Sequence, residues 1–77
     1  MKVREIANKV IMEFVELTRF EKDSGVIMKM KYTDKVTGRF YFELAYDDGK
    51  IMQSETYPAG TEISNLSVLY LHNLYKI

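Results

Sequence analysis

The chain has 77 residues, 47% of them hydrophobic, and its 11 basic and 11 acidic side chains cancel to a formal net charge of zero. It contains no cysteine and one histidine, His72. This excludes a disulfide scaffold, a thiolate nucleophile and a strongly charged disordered chain, and leaves one small domain over residues 1–77 held by apolar burial, with self-association as an added support.

The first predicted element is an amphipathic helix from Lys2 to Thr18. Val3, Ile6, Ala7, Val10, Phe14 and Leu17 recur at steps of three and four, with Ile11 and Val15 flanking the stripe. Met12 projects away from that stripe and is expected to be exposed. Glu5, Asn8, Lys9, Glu13 and Glu16 interrupt any leader-like apolar stretch, and no run reaches the length that spans a bilayer. The expectation is a cytoplasmic protein starting at its own initiator Met1. Phe20 to Gly25, with charged Glu21-Lys22-Asp23, reads as a solvated turn.

Two alternating segments follow, Val26 to Thr33 and Arg39 to Tyr46, separated by Asp34-Lys35-Val36-Thr37-Gly38. Alternation of this kind marks half-buried strands. Pairing Thr33 with Arg39 places Tyr32 opposite Phe40, Met30 opposite Phe42, Met28 opposite Leu44 and Val26 opposite Tyr46. Lys29 then meets Glu43 on the outer face, and Lys31 meets Tyr41. A third strand covers about Lys50 to Tyr57. A three-residue Asp47-Asp48-Gly49 loop, with Gly49 in the left-handed position, sets Met52 beside Leu44, Ser54 beside Phe42 and Thr56 beside Phe40. A two-residue turn would instead bury Glu55 without a partner, which is the more costly arrangement.

Pro58-Ala59-Gly60 ends the sheet, and Thr61 is a candidate N-cap for a second helix carrying Ile63, Leu66, Tyr70, Leu74 and Ile77 on one stripe. Val68, Leu69, Leu71 and Tyr75 widen that stripe almost around the axis, although Ser67-Val68 and Leu69-Tyr70 also suit a strand. The predicted fold is α+β: an α-β-β-β-α chain with a three-stranded antiparallel sheet and two helices packed on one of its faces. That order resembles the double-stranded RNA-binding domains. Those domains grip phosphates with lysines at the start of the second helix, where this chain reads Thr61-Glu62-Ile63-Ser64-Asn65, so the resemblance does not carry their function.

No constellation supports catalysis. Asp47 and Asp48 precede Gly49, where Asp builds turns, and no phosphate-cradling glycine loop or metal-ligand spacing is present. No catalytic residue, cofactor or metal is expected. The predicted outer sheet face gathers Lys31, Arg39, Tyr41 and Tyr57 as partner-binding residues, with Ile27, Ala45 and Ile51 forming an apolar cluster at its other end. The surplus apolar side chains Val68, Leu69, Leu71 and Tyr75 predict a homodimer contact. The sequence thus reads as a small non-enzymatic protein that binds a protein partner, of the accessory, regulatory or inhibitor kind found among phages and mobile elements. The alternative is a nucleic-acid-binding module using the same basic and aromatic face. A membrane partner is not expected.

Overall fold

A computed structural model describes residues 2–7, 9–64 and 75–76. The chain is an antiparallel meander. Its elements in order are β1 (Lys2–Ala7), β2 (Val10–Val15), α1 (Arg19–Asp23), β3 (Val26–Asp34), β4 (Phe40–Tyr46), β5 (Ile51–Gln53) and β6 (Tyr75–Lys76). Among the described residues each strand pairs with its neighbour in sequence, giving one six-stranded sheet ordered β1-β2-β3-β4-β5-β6. The expected three-stranded α-β-β-β-α fold is therefore wrong, and the topological resemblance to RNA-binding domains goes with it.

The predicted first helix is a β-hairpin. Ala7 pairs with Val10 and Lys2 with Phe14, so only Asn8-Lys9 separates the two strands. The near-continuous apolar run from Val10 to Val15 satisfies a period of two as well as 3.6, and its β-branched Val10, Ile11 and Val15 favour the pleated alternative. Met12 is consequently buried at 7% exposure rather than solvated, standing opposite Tyr32 of β3.

The expected solvated turn is α1, and its sequence is a capping box. Thr18 Oγ1 accepts the Glu21 N–H at 3.2 Å while Glu21 Oε1 accepts the Thr18 N–H at 2.8 Å. Glu21 is fully buried. The second predicted helix does not begin at Thr61, because residues 61–64 have no regular structure and the Thr61 hydroxyl donates to the Pro58 carbonyl at 2.8 Å instead of capping. Val68, Leu69 and Leu71 lie outside the described residues. Tyr75, the fourth self-association candidate, belongs to β6, where it pairs with Gln53.

The β3–β4 register differs from the expected one by a single residue. Asp34 Oδ1 accepts the N–H groups of Val36 at 2.8 Å and Thr37 at 3.1 Å, a side-chain turn that draws Asp34 itself into the closing pair. The Asp34 N–H donates to the Arg39 carbonyl, and Gly38, at φ +76°, donates back to the Asp34 carbonyl. The loop therefore holds four residues, not five. Tyr32 faces Tyr41, Lys31 faces Phe42, Met30 faces Glu43 and Lys29 faces Leu44. In a sheet, a one-residue slip exchanges the faces of every side chain, so Met30 and Phe42 point to opposite sides. A bulge between Val26 and Met28 reverses the phase once more and returns Val26 to its place opposite Tyr46, as expected from the sequence.

The inner face carries the core. Val26, Phe40, Phe42, Leu44 and Tyr57 form one buried cluster, with Leu17, Tyr46 and Ile63 packed against it. Burial of each large apolar side chain stabilises the fold by about 1.5–3 kcal/mol. The expected loop between β4 and β5 is borne out: the Tyr46 N–H donates to the Lys50 carbonyl, Gly49 has φ +88°, and Met52 faces Leu44. Ser54 continues that register beside Phe42. Its N–H donates to the Phe42 carbonyl and its Oγ accepts the Phe42 N–H, both at 2.8 Å. One residue is then inserted, so Tyr57 rather than Thr56 bridges Phe40.

Candidate functional site: the outer sheet face

The new register decides where each predicted binding residue lies. Lys29 lands on the core face between Val15 and Leu44. Its ammonium meets the Glu21 carboxylate at 2.9 and 2.8 Å, and both side chains are sealed from solvent. This buried pair ties α1 to the sheet. Lys31 also turns inward, its Nζ 4.5 Å from the centre of the Phe40 ring. Tyr57 is a core residue, tilted against Phe40 at 5.8 Å. Neither belongs to the outer face, so half of the predicted partner-binding set moves to the other side of the sheet. The reason is the register slip at Lys31 and the added residue before Tyr57.

Arg39 and Tyr41 do stay together on the outer face. They line a cavity of about 290 Å³ with Val10, Tyr32, Asp34, Thr37 and Thr56. Two of the lining rings, Tyr32 and Tyr41, are stacked at 5.0 Å with 16° between the ring planes. Cross-strand aromatic pairs of this kind contribute about 0.2–1 kcal/mol and fix both rings. Partial burial, then the nearby Glu43 carboxylate, raise both phenols above the ordinary 10.0, so they remain hydroxyl donors. Asp34 forms one rim. The N–H groups of Thr37 and Val36, helped by the Lys9 charge, hold its carboxyl below the ordinary 3.8.

The other end of the same face is apolar. Met28, Ala45 and Ile51 form one row across β3, β4 and β5, with Ile27 in the adjoining bulge. Ile27 is 60% exposed, Met28 41% and Ile51 36%. The sequence placed Ile27, Ala45 and Ile51 in this cluster; the bulge substitutes Met28 into the cross-strand row. Between the two ends runs the row Phe14, Met30, Glu43 and Gln53. Sequence reasoning missed Tyr32, which it placed in the core, and Glu21, whose signal was the Thr18-x-x-Glu21 spacing.

Asp48 behaves as a turn former, its Oδ1 accepting the Lys50 N–H at 2.9 Å. His72 lies outside the described residues. Among the described residues no helix is long and apolar enough to cross a membrane. In comparisons with known proteins, no family model, curated protein or solved structure matches the chain.

Proposed function

We propose that this chain is a small non-enzymatic cytoplasmic protein that works by laying the outer face of its sheet against a protein partner, in an accessory, regulatory or inhibitory role. The observation that carries the reading is the exposed apolar end of that face, where Ile27, Met28 and Ile51 stand in solvent beside Ala45. Contiguous exposed apolar side chains on a small domain mark interaction sites. A polar border, here Glu43 and Gln53 in the adjoining row, is the usual frame of such a contact.

The nucleic-acid alternative is weaker than the sequence alone suggested. Lys31 and Tyr57 leave the face on which it depended, and Glu43 and Asp34 remain there with Arg39. The test is affinity capture from the native cell with the wild-type chain and with Met28→Glu/Ile51→Glu, read by mass spectrometry. The expected result is a protein partner recovered by the wild type and lost with the variant, whose unfolding midpoint stays close to wild type. Equal recovery by both would remove the outer face from the interaction.

A further inference from the structure

The polar end of the outer face carries an exposed arginine beside a small cavity. Among the described residues the Arg39 guanidinium makes no hydrogen bond or ion pair; its backbone alone is engaged, the N–H donating to Thr37 Oγ1 at 3.2 Å and the carbonyl accepting from the Asp34 N–H at 2.8 Å. Arg39 is exposed and lines a cavity together with two stacked tyrosine rings. The other charged group of the lining, Asp34, has its Oδ1 engaged by two backbone N–H groups of its own turn. An unpaired guanidinium beside phenol and threonine hydroxyls is suited to a carboxylate, which it binds through two parallel N–H donors. The adjoining rings offer a flat surface for an aromatic group.

Size and charge narrow the occupant. At about 290 Å³ the cavity lies at the lower limit of small-molecule sites and suits one or two side chains. Asp34 on the rim and Glu43, which faces Met30 in the next row, flank the site with negative charge. They would repel a run of phosphates but leave room for a single carboxylate at Arg39. We propose that this cavity receives an aspartate or glutamate of the partner protein, with a neighbouring aromatic residue stacked on Tyr41. The inference rests on the protein-binding reading above and gives its partner a chemistry.

Titration of the isotopically labelled chain with a capped Trp–Glu dipeptide, its Trp–Gln counterpart and an eight-nucleotide oligothymidylate tests it by NMR. Trp–Glu is expected to shift the amide signals of Arg39, Tyr41 and Thr56, with a Kd on the order of 1 mM. Trp–Gln should bind about tenfold more weakly, because the charge-assisted bond is lost. Arg39→Gln, an exposed change whose fold the same spectra verify, should erase the difference between the peptides. Equal binding of the two, shifts confined to other residues, or tighter binding of the oligonucleotide would overturn the assignment. The two readings fail separately: a captured partner that is lost with Met28→Glu/Ile51→Glu but kept by Arg39→Gln leaves the interface standing and removes this pocket from it.

Discussion

The inner and outer faces of the sheet are both rich in large apolar side chains, and they resolve that load differently. The inner face is roofed by α1 and by the segment around Ile63, and it draws a lysine inside with them. The outer face buries Met12 and Met30 among its strands yet leaves Met28 and Ile51 in solvent. Hydrophobicity does not separate the faces. What separates them is a carboxylate, Glu21, delivered by a capping box to the place where Lys29 must be neutralised. A charged residue can therefore mark the core, and a methionine the surface, when a turn elsewhere sets the register.

The contrast is most sharply tested at the ion pair. Lys29→Met should destabilise the fold by about 3–5 kcal/mol in urea unfolding, since it strands a buried carboxylate. The double change Lys29→Met/Glu21→Leu should recover most of that loss, although it also removes the half of the capping box in which the Glu21 carboxylate accepts the Thr18 N–H. A double variant no more stable than the single one would show that α1 is held by the cap rather than by the pair. Next in size is a matched truncation on the two faces. Leu44→Ala, fully buried, is expected to lose about 2–5 kcal/mol. Met28→Ala should lose less than about 1 kcal/mol. Similar losses at both positions would mean that the outer end is covered in solution, and would favour a self-associated state detectable by light scattering over a dilution series.

The smallest effect belongs to Asp34. Its folded carboxyl titrates below the ordinary 3.8, so the stability it contributes is present above that pH and is lost as pH falls through the lower folded value. Asp34→Asn should therefore flatten the fall of the melting temperature on the acid side, with a modest loss at neutral pH. An unchanged acid profile would deny the β3–β4 turn its ionised anchor.

The central strands were legible because Val26–Asp34 and Phe40–Tyr46 alternate over enough residues to exclude a helix. The β4–β5 register was legible too, since Gly49 demands a left-handed position and only one register keeps Glu55 off the core. The β3–β4 register was not. Pattern matching pairs greasy residues with greasy residues, whereas the chain obeys the Asp34 turn and pairs Lys29 with Leu44. Nothing in β3 announces that Lys29 has a partner, because Glu21 lies in a stretch that looks solvated until Thr18 is recognised as its cap. The N-terminal hairpin was hidden by a run whose apolar residues fit both periods, and the stop at Asn8-Lys9 is short. For the binding face, Arg39 and Tyr41 were found together, while Lys31 and Tyr57 were lost to the same one-residue shifts.

The neighbour-to-neighbour order of the strands has a bearing on how the protein is made. Among the described residues every ladder from β1 to β5 joins segments close along the chain, and the buried ion pair spans eight positions. Short closures of this kind favour assembly toward the fast end of the range for sheet proteins, which fold in about milliseconds to seconds. A nascent chain leaving the ribosome can add each strand to the one before it. By the time Tyr57 emerges to seal Phe40, α1 and the first four strands already have all their ladder partners, and only β5 waits for a later segment, β6.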